Sequence, residues 1–143
     1  MKRYYVINCR WFAGPVWNDN EKWCKELLNV LCNFYKRIVR SVVKKIVCND
    51  RIIAIKVKAE PVNILVIQVY MPTSEYEDDE VENLYDTLEE IREEDGKGEI
   101  NSIILGDWNS VVGDESYRNI VGSHGLGTRN HRGQMLIGFC ERN

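Results

Sequence analysis

The chain has 143 residues, 44% of them hydrophobic, and a formal net charge of −3. That is material for one modest domain with a core, which argues against intrinsic disorder. No apolar run approaches the roughly 20 residues of a membrane-crossing helix, and Asn8 and Arg10 interrupt the apolar run after Met1-Lys2-Arg3, which argues against a signal peptide.

The charge is uneven. Residues 1–58 carry 13 Lys and Arg against 4 Asp and Glu, whereas residues 59–143 carry 6 against 18. A basic half either meets nucleic acid or forms a solvated face, and composition leaves both open. The cysteines, Cys9, Cys24, Cys32, Cys48 and Cys140, form no CxxC pair and no zinc spacing with histidine. Reduced thiols in an intracellular protein, nuclear or cytoplasmic, are the expectation.

In chain order, residues 4–12 have strand character, and Gly14-Pro15 marks a turn. From Asp19 to about Val43, Trp23, Leu27, Val30, Leu31, Phe34, Ile38 and Val42 recur at helical steps, with Lys and Arg on much of the remaining surface. This basic amphipathic helix is expected to pack its stripe on the domain, although such helices also bind acidic partners. Residues 52–58 alternate, which predicts a half-exposed strand with Ile53, Ile55 and Val57 inward and Ala54, Lys56 and Lys58 outward. A short connection leads into an almost continuously apolar strand over 63–71, and the two are expected to form an antiparallel hairpin.

Ser74 and Glu77 have the spacing of a capping box. The helix expected over 79–95 places Val81, Leu84, Tyr85, Leu88 and Ile91 on one stripe, with an acidic, solvated opposite face and Gly96 and Gly98 at its end. Ile103-Ile104-Leu105 then predicts a short buried strand, closed by Gly106-Asp107-Trp108-Asn109. Leu105 and Ile67 are expected in the core. A strand–helix–strand crossover makes the 63–71 and 103–106 strands parallel. Their carboxyl ends then share an edge, where open α/β sheets gather ligands, and Tyr70, Asp107 and Asn109 meet there. Residues 118–133 form a glycine-rich loop of the kind that often carries function, and a helix starts near Gln134.

Val69-Tyr70-Met71-Pro72-Thr73, the acidic helix and Gly106-Asp107-Trp108-Asn109, in that order, resemble the endonuclease/exonuclease/phosphatase family. Asp50-Arg51-Ile52-Ile53 and residues 124–133 narrow the likeness to the apurinic-type endonuclease domains of non-LTR retrotransposons. The resemblance covers roughly residues 41–143, as the middle part of such a domain, and leaves 1–40 as a divergent N-terminal segment. It implies an α/β fold, here a partial two-sheet α/β sandwich with helices outside. It also implies Mg2+-dependent phosphodiester hydrolysis with DNA as partner. Asp107 would orient or deprotonate the attacking water, Asn109 would hold a phosphate oxygen or help place the metal beside Asp107, and Tyr70 would donate to the phosphate. Arg129 and Arg132 are candidate phosphate contacts, since Arg suits phosphate backbones; the other reading of them is a helix-entry loop with exposed charge. The same loop favours nucleic acid over a lipid or inositol phosphate.

The chain also departs from the family. There is no Gln-Glu pair to supply the expected metal-binding Glu, Asn8 is a faint counterpart of the family's first-strand Asn, and the closing Asp-His pair has no match before Asn143. His124 and His131 read as surface histidines. The expectation is an impaired nuclease, prone to self-association through exposed sheet surface. The alternative is a non-catalytic module that binds nucleic acid or protein.

Overall fold

The computed structural model describes residues 4–8, 40–47, 49–98 and 100–143. These residues form a mixed α/β arrangement of one sheet and two helices. Four strands, β2 (Val42–Val47), β3 (Ile52–Val57), β4 (Asn63–Tyr70) and β5 (Ile100–Asp107), form the sheet, and β1 (Tyr4–Asn8) extends it beside β5. The order is β1-β5-β4-β3-β2. β2, β3 and β4 are antiparallel neighbours, and β1, β5 and β4 are parallel neighbours. The expected hairpin and the expected parallel pair are therefore both present.

The connection from β4 to β5 runs through α1 (Asp78–Asp95), and α2 (His131–Arg142) follows β5 after a loop. Both helices lie on one face of the sheet. Leu65, Ile67 and Val69 of β4, with Ile104 of β5, pack against Val81, Leu84, Leu88 and Ile91 of α1 and Leu136 and Phe139 of α2. The stripe expected on α1 is the stripe that is buried.

Several expectations are corrected. Leu105 is half-buried on the opposite face, and its neighbour Ile104 faces the helices, because strand side chains alternate. In β3 both faces of the first four residues are buried; Ile52 and Ala54, not Ile53 and Ile55, join the helix-side core. Lys56 accordingly lies on the helix side, and its Nζ donates to the Asp95 carbonyl at 3.1 Å. Lys44 pairs with the buried Asp95 carboxylate at 2.6 Å. Two cations thus meet the last residue of α1, where the helix dipole is negative. Val42 belongs to β2 rather than to a helix.

α1 is not capped by Ser74. Glu77 is its N-cap and makes no side-chain cap bond, while Asp78, Asp79 and Glu80 fill the first turn. The Tyr76 N–H donates to the Thr73 carbonyl at 3.2 Å, so Ser74 belongs to a turn before the helix. Among the described residues there is no second sheet. No described helix is long and apolar enough to cross a membrane. Cys140 is a free thiol; Cys9, Cys24, Cys32, Cys48 and most of the basic helix expected over 19–43 lie outside the described residues.

Candidate functional site at the carboxyl edge of the parallel strands

Alternation along β4 puts Val69 in the core and leaves Tyr70 half-buried on the other face. Along β5 it does the same to Gly106 and Asp107. The register pairs Val69 with Gly106 and Tyr70 with Asp107, so the phenol-bearing and carboxylate-bearing residues are direct cross-strand neighbours. Gly106 permits this close approach. A Cβ there would collide with the Val69 carbonyl and sit 2.6 Å from Val69 Cγ1.

The next residues fold back on the strand ends. The Met71 N–H donates to the Asp107 carbonyl at 2.9 Å. The Asp107 carboxylate accepts from the Asn109 N–H at 3.0 Å, a turn built by an Asp side chain on its own backbone. Asn109 Nδ2 in turn donates to the Met71 carbonyl at 2.6 Å. Asn109 adopts a left-handed φ of 45°, a conformation that Asn tolerates better than most residues. Between the two polar residues, Trp108 is buried. Its ring stacks on Tyr85 of α1 at 6.2 Å between centroids and meets Phe139 of α2 at 6.3 Å. The spacing of Asp107 and Asn109 is thus set by an aromatic anchor in the helix-side core.

A polar cavity of about 260 Å³ opens beside this turn, lined by Thr73, Ser74, Asp107, Asn109, Ser110, Val111 and Asn130. Ser110 is 7% exposed, and its Oγ has no hydrogen-bond partner among the described residues. A neighbouring hollow of about 470 Å³ shares Ser74 and Asn130 and continues to Tyr76, Asp78, His131 and Arg132.

Asn130 lies in the glycine-rich loop but was not singled out by sequence reasoning. It is the N-cap of α2; its Oδ1 accepts from Gly133 N–H at 2.7 Å and from Val111 N–H at 3.1 Å. One side chain therefore starts α2 and fixes the chain just after Asn109. Asn followed by an apolar-periodic run was the available signal. Gly133 is needed at this junction, since a Cβ would collide with the Val111 carbonyl.

The two arginines of that loop have internal partners. Arg129 Nε donates to the Val112 carbonyl at 3.0 Å, a terminal nitrogen reaches the Glu115 carbonyl at 3.4 Å, and the guanidinium lies 5.4 Å from the Tyr117 ring centroid. Arg132 is 7% exposed, in the first turn of α2. It pairs with Asp78 at 2.9 Å and donates to the Tyr76 carbonyl at 2.5 Å, tying α2 to the start of α1. The other Asp78 oxygen takes His131 at 2.8 Å. Both His124 and His131 are exposed, as read from the sequence. The structure thus brings Tyr70, Asp107 and Asn109 together and gives Arg129 and Arg132 structural roles. Asn8 is set beside Gly106 by the β1–β5 register. Among the described residues no three His, Cys, Asp or Glu side chains converge as a metal site.

No protein-family model and no solved structure matches the chain. It is similar to craniofacial development protein 2 of Bos taurus, with 38% identity over 108 residues, which are 76% of this chain and 18% of the relative. Craniofacial development protein 2 of Tragulus javanicus is 37% identical over 108 residues, again 76% of this chain and 19% of the relative. The chain thus spans under a fifth of the length of the curated relatives it matches.

Proposed function

We propose that the chain carries the central part of a phosphodiesterase site of the retrotransposon DNA-endonuclease type, with impaired cleavage. The observation that carries this reading is the Tyr70–Asp107 register at the carboxyl edge of two parallel strands, with Asn109 bonded to both strand ends. In this reading the Asp107 carboxylate orients a water and accepts its proton as the water oxygen bonds to phosphorus; the P–O ester bond opposite it breaks, and the departing alkoxide takes a proton from solvent. The Tyr70 phenol donates to a non-bridging oxygen, where negative charge gathers in the transition state. Asn109 holds the Asp107 turn against the end of β4. The sheet with its two helices is then one layer of the two-sheet sandwich that the resemblance implies.

Mg2+ sheds water reluctantly and is held by well-placed anionic oxygens. Asp107 with one amide beside it does not fit a resident Mg2+, and no group of three ligands converges among the described residues. The proposed chemistry therefore rests on Asp107, Tyr70 and Asn109, and this single carboxylate is why cleavage is impaired. The same observation favours the second reading, a non-catalytic module that binds nucleic acid.

The test is nicking of supercoiled plasmid in Mg2+ by the chain and its Asp107→Ala variant. Slow nicking that falls to background in Asp107→Ala supports the proposal. Robust nicking abolished by Asp107→Ala overturns the impairment. Nicking that survives Asp107→Ala overturns the site. Salt-dependent DNA binding without any nicking selects the second reading.

A further inference from the structure

A third residue shares the edge with Tyr70 and Asp107. In the β3–β4 register Ile52 pairs with Val69, so Arg51, one step earlier, lies opposite Tyr70. The Tyr70 N–H donates to the Arg51 carbonyl at 2.9 Å. Arg51, Tyr70 and Asp107 therefore form one lateral row over three adjacent strands, about 4.8 Å per step. All three are half-buried, and the row beside them, Ile52, Val69 and Gly106, is buried on the helix side. Cation, phenol and carboxylate thus rise from the same face of the sheet.

Arg51 is held from both ends. The Asn49 side chain accepts from the Arg51 N–H at 2.9 Å and from the Ile52 N–H at 2.8 Å, which fixes the turn before β3. The guanidinium carbon lies 5.7 Å from the Tyr70 ring centroid and 5.0 Å from the Tyr76 ring centroid. Rings attract a guanidinium but leave its N–H donors without acceptors. Among the described residues no carboxylate or carbonyl accepts from the Arg51 side chain. Arg129, Arg132 and Arg142 all have such acceptors. A half-buried guanidinium without an anion is a site for one, and its planar fork suits phosphate oxygens.

Resting on the reading above, we propose that Arg51 is the phosphate-binding cation of this site, taking a backbone phosphate of the nucleic acid and positioning Tyr70 beside it. The two loop arginines nominated by sequence do not fill that role, because their guanidinium groups already hold the loop and α2.

The experiment measures binding of a labelled single-stranded or duplex oligonucleotide by fluorescence anisotropy, with EDTA present so that cleavage plays no part. The full chain is compared with Arg51→Gln and Arg51→Lys over a range of salt. Each phosphate contact contributes a slope of roughly 0.7–0.9 to log K against log salt. Arg51→Gln is expected to weaken binding about tenfold, the effect of one charge-assisted contact, and to reduce the slope by close to one contact. Arg51→Lys is expected to keep the slope and lose part of the affinity. A purely structural role for Arg51 would make the Lys and Gln variants equally weak with the wild-type slope, and that result overturns the proposal. Circular dichroism checks that the variants fold. Should Arg51→Gln not fold, the wild-type arginine Nε–H resonances are followed instead. Oligonucleotide must then shift the one resonance that Arg51→Lys lacks, and an unmoved resonance overturns the proposal. Arg51-dependent binding by a chain that does not nick leaves Arg51 standing and removes the nuclease reading. A wild-type chain without salt-dependent binding removes Arg51 as well.

Discussion

The two faces of the sheet make different predictions for two neighbouring aliphatic residues. Ile67 of β4 is fully buried beneath the helices, at 0% exposure, whereas Leu105 of β5 is half-buried on the opposite face. Ile67→Ala removes three carbons, about 0.8 kcal/mol each in lost burial, or about 2.4 kcal/mol. The cavity between β4, α1 and α2 adds to that, so the expected loss is about 2–5 kcal/mol. With a urea slope of about 2 kcal/mol per molar, the unfolding midpoint falls by about 1–2.5 M. Leu105→Ala removes as many carbons from a side chain that is partly solvated already, with room to relax, and is expected to lose about half as much, roughly 1–2 kcal/mol. Urea titrations followed by far-UV circular dichroism and by tryptophan fluorescence give both numbers; coincidence of the two probes establishes two-state behaviour. A loss at Leu105 equal to or larger than that at Ile67 would refute the face assignment. A loss below about 1 kcal/mol at Ile67, ordinary for a surface position, would refute the core itself.

Gly106→Ala is expected to destabilise by about 1–3 kcal/mol, the usual result of overpacking, because its Cβ would meet the Val69 carbonyl and Cγ1; the same urea titration checks it, and a neutral result would mean that β4 and β5 are not in this register. Burial pushes the Cys140 thiol up to about 11 from an ordinary 9.0, and burial, with the Cys140 charge second, holds the Tyr85 phenol far above its ordinary value. Both groups ionise more readily unfolded than folded, so their contribution is fully present below about pH 9; the Cys140 part is lost as pH rises from there through 11, and the Tyr85 part is lost as pH rises above its ordinary 10.0; midpoints at pH 8, 10 and 11 should fall in that order. At pH 8, alkylation of the Cys140 peptide read by mass spectrometry should show about a hundredfold less thiolate than an ordinary thiol.

Much of the fold was legible because two periodicities are clean. The α1 stripe at Val81, Leu84, Tyr85, Leu88 and Ile91 repeats at helical steps, and the burial follows it residue by residue. The 63–71 run reads as a strand, and a helix between it and the next strand leaves parallel pairing as the natural solution. The β3 face was not legible. Four consecutive apolar residues, Ile52 to Ile55, satisfy either face, and the choice was made by Lys44 and Lys56 reaching Asp95 at the end of α1. Those contacts span elements that no local pattern connects. The cap of α1, unlike its span, was misread for a related reason. Ser74 and Glu77 have the spacing of a capping box, but the turn at Thr73–Tyr76, with Arg132 holding the Tyr76 carbonyl, moves the first helical residue to Asp78.

The site divides along the same line. Tyr70, Asp107 and Asn109 were readable because each follows a strand whose end is marked in the sequence, and parallel strands in register bring such ends together. Arg132 looked solvent-facing because it sits among glycines, polar residues and another arginine; its partner Asp78 lies in the first turn of another helix. Arg51 escaped nomination for the converse reason. It precedes β3 in Asp50-Arg51-Ile52-Ile53, a run that carries the resemblance but no site role, and only the antiparallel register, fixed by Asn49 on one side and Tyr70 on the other, carries it to the edge where Asp107 ends. What distinguishes the three arginines is therefore not their local sequence but what accepts from them. Arg129 and Arg132 have protein acceptors and hold structure together, whereas among the described residues Arg51 has two rings and no acceptor. Of the described cations near this edge, the half-buried Arg51 is thus the one whose chemistry calls for an anion from outside the chain.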